Sequence, residues 1–249
     1  MRERRPRSSM FKQTLQFTLT AALVAWAQAG LPEERRTHTP QGVPLSEPRT
    51  VEAQGRLFRV PAGYLLSWLY PEPRGQVIKR DTLAFAFWMP SRRHPENEPS
   101  STPSFRPREP GRGMAGPDEY IVKVLSVSYK ASDEKGYISP RLKFEHYITN
   151  LGGLGEFAFQ EQLGLIKLWK PNGPNVFTNY RHIQGTEPAA LFACSRPDSA
   201  MPNPGCMGDI HFEQEDIAFF IFFSRNNIES WRDSVTAARD LILRWNVPQ

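Results

Sequence analysis

Short runs of apolar residues, several of them alternating in character, extend over most of the chain from residue 57 to residue 223. In Asp81 to Met89, Leu83, Phe85 and Phe87 alternate with Ala84, Ala86 and Trp88. Both faces of this predicted strand are apolar, so we expect it to be central in a sheet. Arg141 to Thr149 alternates apolar with polar residues, which is typical of an antiparallel strand with one wet face. The other predicted strands are 57–60, 64–70, 120–128, 163–169, 176–180, 191–194 and 217–223.

The last 24 residues change to the period of a helix. Asn226 is the predicted N-cap, and Glu229 follows three residues later, as in a capping box. The helix is expected to end before Pro248. Its apolar face comprises Ile228, Trp231, Val235, Ala238, Leu241, Ile242 and Trp245. Strands followed by one terminal helix predict an α+β fold, a mostly antiparallel β-sheet with a C-terminal amphipathic helix packed on it.

Two segments, Leu31 to Pro48 and Pro90 to Pro117, are rich in proline and poor in apolar residues. Such segments bury too little apolar surface to offset the entropy cost of ordering them. We therefore predict a flexible leader over residues 30–56 and a single α+β domain over residues 57–249, with a long Pro-rich loop at 90–117. A split at that loop into two small β-rich lobes is the alternative.

The first 29 residues have the three parts of a secretory signal peptide. A basic head that ends at Lys12 precedes an apolar body centred on Phe17 to Trp26, and Ala27-Gln28-Ala29 forms an A-x-A exit. Cleavage between Ala29 and Gly30 would release a periplasmic protein with no stable membrane anchor. An uncleaved N-terminal anchor is the alternative, although the apolar body is shorter than the roughly 20 residues that span a bilayer. Translation starts at either Met1 or Met10.

The positive charge of the chain is concentrated in that head. Residues 1–29 hold five of the 31 basic residues and one of the 26 acidic residues, which leaves 26 basic and 25 acidic residues for 30–249. A nucleic-acid-binding protein needs a basic patch that neutralises phosphates. The local clusters, at Arg92-Arg93 and between Arg106 and Arg112, lie in Pro-rich sequence. These features exclude nucleic acid as the main partner.

The chain contains two cysteines, Cys194 and Cys206, with a turn-rich segment of eleven residues between them. In an oxidising compartment this arrangement predicts one disulfide. Two free thiols, a redox pair or half of a metal site are the alternatives, but the spacing matches neither C-x-x-C nor a zinc pattern.

Candidate catalytic chemistry is confined to one short region. His211 lies near Asp209, Glu213, Glu215 and Asp216, which could form a metal or acid–base cluster. The same residues are also typical of a strand edge followed by a solvated acidic turn, and we favour that interpretation. We therefore predict no enzyme activity, no catalytic residues, no metal and no cofactor.

Aromatic and basic residues flank the predicted turn at residues 171–175. Trp169 precedes this turn, and Phe177, Tyr180 and Arg181 follow it. Trp, Tyr and Arg are enriched at the energetic centres of protein interfaces. Trp169, Tyr180 and Arg181 are therefore the predicted partner-binding residues, and core packing of the aromatic residues is the alternative.

The order of structural residues in the C-terminal half resembles that of a known group. It comprises Leu191-Phe192-Ala193-Cys194, a Pro-rich loop, Cys206, Ile217 to Arg225, Ile228, Trp231-Arg232 and Leu241-Ile242, with Val60 to Tyr64 and Phe85 to Pro90 upstream. In these features the chain resembles periplasmic immunity proteins encoded beside type VI secretion phospholipase effectors. Many of those proteins are lipoproteins, whereas this chain has no lipobox cysteine.

The resemblance implies a periplasmic protein that binds a toxic phospholipase (lipase) effector and blocks its action on the cell's own membranes. Two other functions stay open from the sequence. One is an exported small-ligand binder or hydrolase centred on His211 with Asp209 or Glu213. The other is an envelope scaffold or secretion accessory protein.

Overall fold

The computed structural model describes residues 37–39, 41–66, 69–71, 73–95, 119–129, 158–169, 175–178, 188–195 and 204–248. All of them lie in the second of two units into which the chain separates, Met1–Glu34 and Arg35–Gln249. The predicted signal peptide, the Ala29–Gly30 cleavage site, the strand predicted over Arg141 to Thr149 and most of the 90–117 loop lie outside the described residues.

The larger sheet has eight strands, and every neighbouring pair in it is antiparallel. The spatial order is β4-β5-β11-β10-β9-β8-β7-β6. Each neighbouring pair is also consecutive along the chain, except that β5 pairs with β11. This pair joins the N-terminal β4–β5 part of the sheet to the later strands. The strands are β4 (Leu83–Met89), β5 (Tyr120–Tyr129), β6 (Ala158–Gln162), β7 (Leu165–Trp169), β8 (Asn175–Thr178), β9 (Ala189–Cys194), β10 (Gly205–Phe212) and β11 (Ile217–Ser224).

The smaller sheet has four strands in the order β12-β2-β1-β3. Its strands are β1 (Pro48–Ala53), β2 (Arg56–Pro61), β3 (Ile78–Arg80) and β12 (Asn246–Val247). The β1–β3 pair is parallel and the other pairs are antiparallel. Gln54 and Gly55 both have positive φ, as the two central residues of a type I′ hairpin turn require.

The C-terminal helix α1 (Trp231–Trp245) supplies a large part of the core. Its buried residues include Trp231, Val235, Ala238, Leu241, Ile242 and Trp245, as the apolar period predicts. The ring of Trp231 lies 5.6 Å from that of Phe192, and the ring of Trp245 lies 5.0 Å from that of Phe85. The α+β prediction is confirmed, with two mostly antiparallel sheets and one C-terminal helix packed on them.

The two sheets are linked at Tyr129, the last residue of β5. Its backbone N–H donates to Gln54 Oε1 at the β1–β2 turn, over 3.0 Å, and its ring lies 6.0 Å from that of Phe58 in β2. The guanidinium of Arg56 lies 3.9 Å from the ring centroid. Burial raises the pKa of the Tyr129 phenol to about 12, even though Arg56 acts in the opposite direction. The phenol is therefore neutral at physiological pH.

The long Pro-rich loop leaves and re-enters the sheet at one place. Met89, the end of β4, is paired with Tyr120, the start of β5. Arg93 Nη2 lies 2.7 Å from Glu119 Oε2, and Ser91 also hydrogen-bonds to Glu119. The loop therefore connects two adjacent antiparallel strands.

Strand β4 corrects one prediction, because it lies at the edge of the large sheet rather than at its centre. All seven of its residues are buried, as the apolar pattern implies. At the edge, the backbone N–H of Ala84 donates to the Tyr70 hydroxyl over 2.7 Å, and Leu65 forms a single β-bridge with Phe85. Other segments thus cover the strand, so burial of both faces did not require a neighbouring strand on each side.

The predicted flexible leader over 30–56 is wrong over its described residues, because His38 forms a β-bridge with Pro44, Val43 is buried and β1 occupies Pro48–Ala53. Val51 and Ala53 of β1 belong to the hydrophobic core, which anchors this segment despite its polar flanks. The strand predicted over 64–70 is also wrong, because a 3₁₀ helix covers Ala62–Tyr64 and Leu65 makes only a bridge.

The start of the helix differs from the predicted cap at Asn226. Residues Arg225–Ser230 form a 3₁₀ helix, and α1 begins at Trp231 with Ser230 as N-cap residue and no side-chain capping bond. Trp231 is fully buried, and its indole N–H donates to the Leu163 carbonyl over 3.2 Å. We attribute the position of the helix start to these tertiary contacts. Tertiary packing has overridden the local capping signal.

The predicted disulfide between Cys194 and Cys206 is present, with both cysteines buried. They are directly opposed on the adjacent strands β9 and β10, with their Cα atoms 4.1 Å apart. This separation matches the narrow, non-hydrogen-bonded type of antiparallel pair. The bond therefore pins the register of two central strands as well as closing the loop between them.

Among the described residues, the helices fall short of the length and apolar character needed to cross a membrane.

Reduction of the disulfide, or its replacement by Cys194→Ser with Cys206→Ser, should lower the free energy of unfolding. Closing a loop with a sequence separation of 12 is worth about 3 kcal/mol in the chain-entropy model. Urea unfolding of the oxidised, reduced and double-serine forms measures the change. Equal stability of all three forms would contradict a structural role for the bond.

Candidate partner-binding surface

Strands β7 and β8 lie on either side of the turn predicted at residues 171–175, and they pair through Ile166–Thr178, Lys167–Phe177 and Leu168–Val176. Trp169 is the last residue of β7. The side chain of Trp169, and Tyr180 and Arg181 entirely, lie outside what the structure describes. Their role as partner-binding residues therefore stays a prediction.

His211 lies on β10, which is flanked by β9 and β11 and is not an edge strand. That position corrects the predicted strand edge, whereas the acidic turn after it is present at residues 213–216. His211 Nε2 lies 3.7 Å from Asp216 Oδ1. Glu215 instead faces the helix, where its Oε1 lies 3.5 Å from Arg239 Nη1. The described residues contain no group of three or more His, Cys, Asp or Glu side chains able to hold a metal ion.

The two faces of the large sheet have different surroundings. On the helix side, Phe192 and Phe223 contact each other with ring centroids 5.6 Å apart, and Phe192 also contacts Trp231. Tyr120 donates or accepts a hydrogen bond with Ser234 of α1 over 2.9 Å. Because side chains alternate along a strand, the residues between these positions point to the opposite side.

We call that opposite side the far face. Its central residues alternate with the helix-side residues and are directly opposed across neighbouring strands. One row runs Ala86, Lys123, Phe222, Met207, Ala193, and the next runs Leu125, Phe220, Asp209, Leu191. We define the far-face patch as Lys123, Leu125, Leu191, Ala193, Met207, Phe220 and Phe222.

The far-face patch combines apolar side chains with solvent exposure. Met207 is 47% exposed, and Leu125, Phe220 and Phe222 are half-buried. The rings of Phe220 and Phe222 lie edge to face with centroids 4.8 Å apart. A cluster of partly exposed apolar side chains on a sheet is typical of a surface that another molecule covers.

Lys123 is the one lysine of the patch, and it is half-buried among these apolar neighbours. Desolvation lowers the pKa of its ammonium group below the usual lysine value. Within the described part of the chain, no carboxylate forms an ion pair with it. Asp209 lies on the adjacent row, where it faces Phe220 and Leu191.

The backbone beneath the patch is held by close packing on the helix side. Gly208 lies between Met207 and Asp209 and faces Phe192 directly. A Cβ atom on Gly208 would lie 2.3 Å from Phe192 Cδ1 and 2.9 Å from the Leu191 carbonyl oxygen. The absence of a side chain here lets the Phe192 ring reach Trp231. Close packing thus supports the strand that carries Met207 and Asp209.

The far-face patch is not predicted from the sequence. Met207 falls outside every predicted strand, and Phe220 and Phe222 belong to the predicted strand 217–223, for which the pattern gives no exposed face. The available signal was Lys123, a single charge within Tyr120 to Val127. The side on which such a charge is found depends on the neighbours of β5, and those come from distant sequence.

The sequence matches no protein-family model and no curated protein. Two solved structures overlap with the chain. One is Smlt3025, an immunity protein of the Stenotrophomonas maltophilia type IV secretion system, with a TM-score of 0.46 and 15% identity, over 82% of this chain and 94% of that chain. The other is the Neisseria meningitidis iron-regulated outer membrane lipoprotein FrpD, with a TM-score of 0.44 and 8% identity, over 86% of this chain and 97% of that chain. Similarity at this level does not establish a shared function.

Replacement of Lys123 by methionine should not lower the free energy of unfolding near neutral pH, because it removes a charge that the fold desolvates without pairing it. The folded-state pKa of Lys123 lies below the unfolded value of 10.5. The cost of the charge is therefore complete below the folded pKa and disappears as pH rises toward 10.5. Wild type should gain stability relative to Lys123→Met over that range.

Urea unfolding of both proteins from about pH 7 to about pH 10 measures this difference. Lys79→Met is the matched control, because Lys79 is exposed and lies 3.5 Å from Glu52. A marked loss of stability in Lys123→Met alone at neutral pH would show that the ammonium group has a stabilising partner in the fold.

Proposed function

We propose that this protein is an exported immunity protein that binds and neutralises an antibacterial phospholipase effector of a type VI secretion system in the periplasm. The observation that carries the binding role is the far-face patch, an apolar and partly exposed sheet surface with a desolvated lysine. The class of effector comes from the sequence resemblance alone. Smlt3025 is also an immunity protein, but the proposal does not rest on this similarity because the TM-score is 0.46.

Neutralisation would proceed by steric occlusion and would require no chemistry of this protein's own. A standard-sized protein interface covers about 800 Å² on each partner. An area of that size is enough to block either the active site of a phospholipase or the surface with which it approaches a membrane. In this proposal the protein is a stoichiometric inhibitor and not an enzyme, and it needs no cofactor.

The proposed compartment is the periplasm. The buried Cys194–Cys206 disulfide fits an oxidising environment. The basic head and A-x-A exit of the first 29 residues supply the predicted route of export.

Residues 30–249, tagged and used as bait in an envelope fraction of the source cells, should recover a lipase whose activity is suppressed in the complex and returns on dissociation. Mass spectrometry of the eluate and hydrolysis of phospholipid vesicles measure the two parts. Inhibition should saturate at one inhibitor per binding site and should be unaffected by chelator or by His211→Ala, since occlusion uses neither a metal nor an acid–base group of this protein.

A recovered partner with unaltered activity would favour a scaffold or accessory role instead. Loss of inhibition with chelator or with His211→Ala would revive the alternative centred on His211.

The full chain, when produced in a bacterium with a periplasm, should yield a mature protein that begins at Gly30. Osmotic-shock fractionation followed by N-terminal sequencing identifies the compartment and the cleavage point, and Ala27→Glu with Ala29→Glu should block cleavage because the exit then lacks small residues. Retention of residues 1–29 by the wild-type protein would instead support an uncleaved N-terminal anchor.

A further inference from the structure

We propose that the far-face patch is the contact surface for the effector, and that it receives a segment carrying one carboxylate and one large apolar side chain. The carboxylate pairs with Lys123 and the apolar side chain packs against Met207 and Phe222. The inference rests on the proposed function and adds the location and the chemistry of the contact.

The register places the two halves of this contact side by side. Lys123 is opposed to Phe222, and Phe222 is opposed to Met207. Neighbouring strands lie about 4.8 Å apart, so Lys123 and Met207 are separated by roughly 10 Å. The Phe220 ring, 4.8 Å from that of Phe222, broadens the apolar half. One short segment of a partner protein can therefore reach both.

The charge of Lys123 determines what kind of segment fits. The fold has already removed part of the water around this ammonium group. A purely apolar partner would complete the desolvation without compensation, which is costly for a charged group. A carboxylate compensates through a charge-assisted hydrogen bond. Among the possible acceptors, an acidic partner group therefore gives the strongest compensation when the patch is covered while Lys123 is charged.

The patch spans strands β5, β11, β10 and β9, which corresponds to about 14 Å across the sheet. The patch therefore covers less area than one side of a standard interface, which is about 800 Å². We infer that the patch forms the centre of the interface, where a few well-packed side chains carry most of the affinity.

The experiment uses residues 30–249 and the lipase recovered by this protein in the envelope pull-down, purified after dissociation. Inhibition of vesicle hydrolysis gives the dissociation constant of each variant at low and at high salt. The test variants are Lys123→Met and Met207→Asp. Their matched controls are Lys79→Met, an exposed lysine of the small sheet, and Leu243→Asp, an apolar residue of α1 that is 41% exposed.

Lys123→Met should raise the dissociation constant at least about 30-fold, because it leaves the partner's carboxylate buried without a positively charged group to pair with. It should also reduce the salt dependence of binding, which a purely structural role would not change. Met207→Asp should weaken binding at least about 10-fold. The two controls should stay within about threefold of wild type.

Inhibition by Lys123→Met and Met207→Asp at the level of their controls would overturn the inference while leaving the proposed function intact. Loss of inhibition only with Tyr180→Ala and Arg181→Ala would do the same and would place the contact at the predicted hairpin residues. A wild-type protein that recovers no lipase, or one that leaves the lipase active, would overturn both proposals. Thermal unfolding checks each variant, and Lys123→Met alone decides if Met207→Asp does not fold.

Discussion

The packing of two tryptophans against the large sheet is the interaction on which the rest of the structure depends. Trp231 and Trp245 are the first and last residues of α1. Trp231 contacts Phe192 of β9, and Trp245 contacts Phe85 of β4, on the opposite part of the sheet. Burying each large aromatic side chain contributes roughly 1.5–3 kcal/mol or more, so the helix is anchored at both ends. This anchoring buries one face of the sheet in the core, while the opposite face carries the far-face patch.

The same constraint explains how the edge of the sheet is covered. Because Trp245 also contacts Tyr64, with ring centroids 4.9 Å apart, the chain after β2 is drawn toward β4. From there Leu65 bridges to Phe85 and the Tyr70 hydroxyl accepts from Ala84. On the other side, Arg92 Nη1 lies 3.0 Å from Asp240 Oδ2 of the helix. An edge strand that would otherwise expose backbone donors is thereby satisfied from within the chain.

Packing on the helix side of the sheet holds the strands that carry the far-face patch. Gly208 has no side chain, which leaves room for the Phe192 ring. The disulfide holds Cys206 opposite Cys194. These contacts fix the register of β9 and β10. The β10–β11 pairing then places Met207 beside Phe222, and the β11–β5 pairing places Phe222 beside Lys123. A half-buried lysine without an ion-pair partner among the described residues opposes stability, and such costs are expected where residues serve binding rather than folding.

Local pattern by itself determined the α+β class, the terminal helix, strands such as β5 and β11, the β7–β8 hairpin and the pairing of the two cysteines. Those features depend on periodicity and on short-range turn chemistry, which adjacent residues contain. Only tertiary structure decided that the all-apolar β4 lies at an edge, that Pro48–Ala53 is a strand, and that the helix begins at Trp231 rather than after Asn226. It also decided that Lys123, Met207 and Phe222 form one surface. Each of these outcomes depends on which distant strand or ring becomes the neighbour, and that information is absent from any single stretch of sequence.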